Sequence, residues 1–246
     1  YSNKAFAAQL KDIFKNSSSM VVRMECLHLL RQYNGPHYHE VLKLAVDDPY
    51  ELIRRKATAY MGKAGNDAFI PTVLKIPYHD RYSKRVVYGA YNSLDFFDPE
   101  KVSQQIDEVS PRYSYHLNSS KLTENLKERV ANTRQKVEES YGYLKSDTIP
   151  LRYRKLEIRI LRNYHYHHMV PKYLSLIQSP DFKEELKVML IEALGWFTHS
   201  YQKDAIEATC REIIEDDSSS EKVKREAGRT LNRLNPYEDA ADTNEA

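Results

Sequence analysis

A short phrase that recurs about every 31 residues constrains the fold of this chain more than any other feature. In it, an apolar or basic residue precedes an Arg or Lys, and small or apolar residues then begin a helical run. The phrase occurs at Val22-Arg23, Ile53-Arg54, Lys84-Arg85, Arg154-Lys155, Leu186-Lys187 and Val223-Lys224. The basic residues that end these pairs are separated by 31, 31, 70, 32 and 37 residues. A period of this length indicates one supersecondary unit that stacks on copies of itself.

Residues 47–80 show the repeating unit most clearly. Asp47-Asp48-Pro49 predicts a turn that caps the next helix. One apolar stripe at three- and four-residue steps follows it: Leu52, Ile53, Ala57, Tyr60 and Met61. Gly62 and Gly65 end this helix, a shorter one runs over 68–76, and Pro77 and Asp80 begin the next cycle. Neither helix can bury its apolar stripe alone, so we expect the pairs to stack.

Composition agrees with a fold made only of helices. Apolar residues make up 41% of the chain and charged residues 29%, as expected for a thin molecule with much surface. Glycine is scarce, with 7 residues, and no alternating run of β-branched residues suggests a sheet. We therefore predict an all-α fold.

The repeats resemble the HEAT repeat family, in particular its short HEAT-like and armadillo-like forms. The shared feature is an Asp-containing turn before the basic phrase: Asp47-Asp48-Pro49 before Arg54, Asp147 before Lys155, Asp181 before Lys187 and Asp217 before Lys224. The resemblance implies an α-α superhelix, a right-handed solenoid of about six helical hairpins. It also implies that helices carrying the phrase line its concave side.

One interval departs from the period and predicts an enlarged central unit over residues 110–148. Apolar residues from Leu122 to Leu144 keep a helical step over about 25 residues, which predicts one long helix. This helix is either a structural wedge or an arm that contacts a partner. We expect a single repeat array over residues 1–235 and a disordered acidic tail over 236–246.

Four cations on one predicted helix are the main candidates for a binding site. Arg152, Lys155, Arg159 and Arg162 follow at steps of three, four and three residues, which places them on one side of the helix. Beside them runs a stripe that we expect to be buried: Tyr153, Leu156, Ile160 and Tyr164. Arg55 and Arg85 of earlier units would face the same concave groove.

Local charge leaves two interpretations of this basic row. Residues 110–180 hold 13 Lys or Arg and 6 Asp or Glu, whereas residues 181–246 hold 9 and 16. Either the acidic segment neutralises the basic one within the chain, or the row binds a charged partner. A basic groove favours an acidic peptide or phosphate groups.

Motifs of catalysis and metal binding were not found. The densest histidine group, residues 164–168, lacks a carboxylate or Cys at the spacing that a metal site needs, and neither a metal nor another cofactor is expected. Deoxyhypusine hydroxylases use HEAT-like repeats with several His-Glu pairs that begin inner helices. Here only His39-Glu40 matches, in an outer helix, so the sequence argues against this class of enzyme. Alkylpurine DNA glycosylases also stack HEAT-like repeats, but they need a basic groove with aromatic platforms.

The sequence thus predicts a non-catalytic protein-binding scaffold rather than an enzyme. Its concave face would use Arg55, Arg85, Arg152, Lys155, Arg159 and Arg162. The alternative is a nucleic-acid-binding module or one like the alkylpurine DNA glycosylases. We expect the partner to be a protein or peptide rather than a nucleic acid. The basic groove would favour an acidic one. No apolar run approaches the ~20 residues of a membrane span. The chain begins with Tyr1, not Met, so a cytoplasmic location and export with a removed leader both stay open.

Overall fold

The computed structural model describes residues 3–33, 35–79, 81–115 and 118–235, with side chains described from residue 5 onward. Within these ranges all regular structure is helical, and no described residue lies in a β-strand. The predicted acidic tail, 236–246, and the predicted turn residue Asp80 lie outside the described residues. The chain divides into two compact units, Tyr1–Arg134 and Gln135–Ala246.

The first unit contains seven complete helices and the first part of an eighth. Their bounds are α1 Asn3–Asn16, α2 Met20–Tyr33, α3 Pro36–Ala45, α4 Glu51–Ala64, α5 Ile70–Lys75, α6 Lys84–Leu94, α7 Pro99–Val109 and α8 Ser119–Lys145. Helix α1 pairs with α2, α3 with α4, and α5 with α6, so hairpins follow one another along the chain.

Local sequence explains where these helices begin and end. The Asp98 carboxylate accepts a hydrogen bond from the backbone N–H of Glu100 at 2.9 Å, and Pro99 occupies the first turn of α7. Helix α4 ends at Gly65, whose φ of 64° is a left-handed conformation that glycine adopts without strain.

The second helices of the hairpins in the first unit, α2, α4 and α6, lie side by side in parallel. Near the start of α2, Arg23 pairs with Asp48 before α4, with Nε and Oδ2 3.3 Å apart. Near its end, the Arg31 guanidinium lies over the Tyr60 ring, 4.6 Å from the centroid. Helices α4 and α6 approach closely, since a Cβ added to Gly62 would lie 2.9 Å from the Cα of Ser93.

Helix α8 is 27 residues long, and the boundary between the two units falls within it. In the first unit it is fixed by charge contacts with α7 and with the residue that follows α6. Arg129 donates from Nε to Asp95 at 2.9 Å, and the Lys127 ammonium lies 2.5 Å from the Asp107 carboxylate.

The second unit contains the end of α8 and five further helices. Their bounds are α9 Leu151–Asn163, α10 Val170–Gln178, α11 Glu184–Leu194, α12 Lys203–Glu215 and α13 Glu221–Leu234. Helix α10 pairs with α11, and α12 pairs with α13. Helices α9, α11 and α13 lie side by side, and the Thr230 hydroxyl of α13 donates to the Ile191 carbonyl of α11 at 3.0 Å. Each unit has its own apolar core.

The structure confirms the predicted all-α fold of helical hairpins with an enlarged central unit. The long helix predicted over 122–144 is α8. Among the described helices, none combines the length and the apolar character that crossing a bilayer requires.

Candidate binding surface

The six cations predicted from the sequence fall into both units. Arg55 on α4 and Arg85 on α6 belong to the first unit, and both side chains are exposed. The other four lie on α9 in the second unit and are called the α9 row: Arg152, Lys155, Arg159 and Arg162. Each unit is therefore considered separately.

Half of the α9 row is neutralised by the adjacent helix α11. The Lys155 ammonium forms an ion pair with Glu185. Arg162 lies 3.3 Å from the Glu192 carboxylate, and its guanidinium lies over the Trp196 ring, 4.8 Å from the centroid. Both carboxylates lie 30 residues beyond their cations, close to one repeat. Helix α11 thus supplies the counter-charges that a ligand would otherwise supply.

The buried side of α9 differs from the stripe predicted from the sequence. Tyr153, Leu156 and Tyr164 are exposed, with Leu156 at 48% of its full exposure. Arg154 is instead 1% exposed, since its Nε donates to the Leu144 carbonyl at 2.9 Å and its Nη1 to Asp147 at 2.6 Å. With these polar contacts Arg154 lies on the buried side of α9, and the predicted stripe therefore lies closer to solvent.

The second helices of the first unit carry far more positive than negative charge. Helices α2, α4 and α6 contain eight Lys or Arg residues and two Glu residues. Two of the cations hold turns together. Arg23 pairs with Asp48, and Arg54 donates to the carbonyls of Asp48 and Pro49 at 2.6 and 2.9 Å.

The other six cations of these helices form what we call the basic surface. They are Arg31, Arg55, Lys56, Lys63, Lys84 and Arg85. None of these six takes part in an ion pair among the described residues of the first unit, because every such pair uses another Lys or Arg. No described carboxylate forms an ion pair with this surface, whereas α11 supplies two to the α9 row.

Three members of the basic surface influence one another electrostatically. Burial lowers the pKa of the Lys63 ammonium, and the positive charges of Arg31 and Lys56 lower it further. The guanidinium of Arg31 is oriented by the Tyr60 ring, and its buried Nε has no hydrogen-bond acceptor in the described structure. An anion at this point would relieve the repulsion that acts on Lys63.

Apolar side chains are interspersed with these cations on the same three helices. Leu52 on α4 is 43% exposed and Tyr88 on α6 is 67% exposed. Val22 and Leu29 on α2 are also exposed. The exposed face therefore combines positive charge with apolar contact area.

The histidine group predicted around residues 164–168 is part of the packing of the second unit. His167 is buried, with its Nδ1 2.7 Å from the Ser200 hydroxyl, and His165 packs on the Phe197 ring at 4.7 Å between centroids. His39 and Glu40 lie on α3, where Glu40 pairs with Lys11 and Lys15. Across the described part of the chain, no group of three or more His, Cys, Asp or Glu residues could hold a metal ion.

Comparison with known proteins gives matches among solved structures only. No family model matches the sequence, and no curated protein matches it. Among solved structures, human deoxyhypusine hydroxylase in complex with glycerol matches with a TM-score of 0.40 and 15% sequence identity. The match covers 94% of this chain and 96% of that chain.

This match contradicts two predictions made from the sequence. The matched protein is an enzyme, so the prediction of a non-catalytic protein-binding scaffold, with its nucleic-acid-binding alternative, is corrected. The prediction that the chain is not an enzyme is corrected with it. Both rested on the lack of a known catalytic motif, and a helical-repeat fold does not determine function.

Proposed function

We propose that this chain binds an extended acidic segment of another protein on the basic surface of its first unit. The observation that carries the proposal is the set of six cations, on three adjacent parallel helices, that have no carboxylate partner among the described residues. Arg55 and Arg85 keep the binding role predicted from the sequence. Arg31, Lys56, Lys63 and Lys84 join them.

Electrostatics favours such a ligand. Like charges held on adjacent helices repel, and carboxylates brought by a ligand replace that repulsion with attraction. The cations already lie on helices, so the backbone loses little conformational freedom on binding. Affinity should fall as salt rises, because exposed charges are screened over about 10 Å at 0.1 M ionic strength.

The apolar side chains favour a polypeptide over a nucleic acid. Leu52, Leu29 and Tyr88 offer contacts to aliphatic side chains, which a sugar-phosphate backbone lacks. Protein interfaces commonly combine aromatic and Arg anchors with a charged rim. A segment that alternates acidic and aliphatic residues would match both features.

Peptide binding followed by fluorescence anisotropy tests the proposal. The probe is a labelled 15-residue peptide in which Asp and Glu are interspersed with Leu. We expect the double variant Arg55→Glu/Arg85→Glu to bind about 30-fold more weakly, from about 1 kcal/mol for each reversed charge. The matched control is Arg152→Glu/Arg159→Glu, which reverses two exposed cations of the α9 row and should leave the affinity within twofold.

Two further probes identify the kind of ligand. The same peptide with Lys in place of every acid should not bind. A single-stranded DNA of equal charge should bind more weakly than the acidic peptide, because it cannot use the apolar contacts. Tighter binding of the DNA, or equal loss of affinity in both double variants, would refute the proposal.

A further inference from the structure

Within the basic surface, three cations lie around the Tyr60 side chain. Lys56 and Lys63 are seven residues apart on α4, about 10 Å along the axis and on the same side. Arg31 on the adjacent α2 reaches the same level as Lys63, since its guanidinium packs on Tyr60 one turn earlier. The charges of Arg31 and Lys56 both act on Lys63.

Arg31 is held ready for a ligand. The Tyr60 ring lies against its guanidinium, 4.6 Å from the centroid, and orients it. It forms neither an ion pair nor a hydrogen bond with any described residue, whereas Arg23 of the same helix has both. An oriented guanidinium offers several N–H donors to the oxygens of a planar or tetrahedral anion.

We propose that Arg31, Lys56 and Lys63 form a subsite for a phosphoryl group carried by the bound acidic segment, which deepens the proposed function and depends on it. A phosphorylated side chain carries nearly two negative charges and three acceptor oxygens, whereas a carboxylate carries one charge and two oxygens. Three cations around one point match the former better. A dianion beside Lys63 would also offset the positive charges of Arg31 and Lys56, which lower the pKa of its ammonium.

The test compares three forms of one acidic peptide, with phosphoserine, serine or glutamate at its central position. The wild-type chain should bind the phosphoserine form about tenfold more tightly than the other two. Lys63→Gln should reduce this preference to below about threefold. Lys56→Gln should do the same, and it tests the subsite independently if Arg31→Gln disturbs the packing on Tyr60. Lys84→Gln, on the same surface but outside the subsite, should keep the preference.

The outcomes separate this inference from the proposed function. If the three peptides bind equally and Arg55→Glu/Arg85→Glu still weakens them, the subsite is refuted and the proposed function stands. If no peptide binds the wild-type chain, both fail. A preference for phosphoserine that survives Lys63→Gln and Lys56→Gln also refutes the subsite. Calorimetry with inorganic phosphate identifies the source of the group, since tighter binding of free phosphate than of the phosphopeptide would overturn a segment-borne group.

Discussion

The basic surface of the first unit and the α9 row of the second are built on the same kind of helix but differ in how their charge is balanced. In the second unit, Lys155 and Arg162 meet carboxylates of α11. In the first unit, α6 carries Lys84 and Arg85 and has no acidic residue. A cation row on a repeat helix therefore indicates a binding site only when the next helix lacks matching acids.

A second comparison concerns the structural arginine that both units place at the fourth position of a helix. Arg54 donates to two backbone carbonyls from a half-exposed position. Arg154 donates to a carbonyl and to Asp147 while it is almost fully buried, and its guanidinium lies 5.5 Å from the centroid of the Phe182 ring. The arginine at this position should therefore contribute more to the free energy of unfolding in the second unit than in the first.

The largest expected effect comes from removing Arg154. Arg154→Ala should lower the free energy of unfolding of the second unit by about 3 kcal/mol, because a buried carbonyl loses its donor and a large cavity opens. Trp196 is the only tryptophan of the chain and lies in this unit, so its fluorescence during urea denaturation reports the change.

Two controls sharpen this prediction. Arg152→Ala, at an exposed position on the same helix, should change the free energy by less than about 0.5 kcal/mol. Arg54→Ala should cost the first unit about 1 kcal/mol, measured by circular dichroism. An Arg154→Ala chain whose Trp196 transition coincides with that of the wild type would show that the buried arginine is dispensable.

A smaller effect is expected from removing the carboxylates that neutralise the α9 row. The double variant Glu185→Gln/Glu192→Gln leaves Lys155 and Arg162 without their carboxylates, and the second unit should then bind the acidic peptide as the first does. Calorimetry should show the stoichiometry rise from about one peptide per chain to about two. Asp217→Gln/Glu215→Gln, which removes two exposed acids outside this contact, is the control. An unchanged stoichiometry would mean that neighbouring carboxylates do not decide which surface binds.

Local signals in the sequence were sufficient to predict the fold. The apolar stripes predicted the helices, and turn residues such as Gly65 and Asp98-Pro99 end or begin helices in the structure. The basic phrase does not show which of Arg154 and Lys155 corresponds to the arginine of the other repeats, because both residues fit it. Contacts with Leu144 and Asp147 before the helix and with Phe182 after it distinguish Arg154, which points inward, from Lys155.

The candidate site was predicted only in part. Spacing identified the α9 row but did not reveal that Glu185 and Glu192, one repeat later, neutralise half of it. That signal was present in the sequence as a separation of 30 residues. Lys56 and Lys63 were not predicted, because the charge imbalance between residues 110–180 and 181–246 carries no information about α4. A count for each helix shows the excess of cations on α2, α4 and α6 directly.

The smallest expected effect tests whether the cations of the basic surface repel one another. Folding lowers the pKa of Lys63 below its ordinary value of 10.5, so the protonated side chain opposes folding at neutral pH. Lys63→Gln should therefore stabilise the first unit by about 0.3 kcal/mol at pH 7, the size of a like-charge pair on a helix surface.

The pH dependence distinguishes repulsion from a general effect of the glutamine. As pH rises through the lowered pKa, wild-type Lys63 loses its proton and the wild-type chain gains stability, so the advantage of Lys63→Gln should shrink toward pH 10.5 and vanish above it. Lys84→Gln is the control, since it removes a cation of the same surface that is not among the charges acting on Lys63. Urea denaturation followed by circular dichroism at pH 7, 9 and 10.5 measures all three chains. A Lys63→Gln chain that is less stable than the wild type at pH 7 would mean that this lysine is already compensated within the fold, as Lys155 is by Glu185.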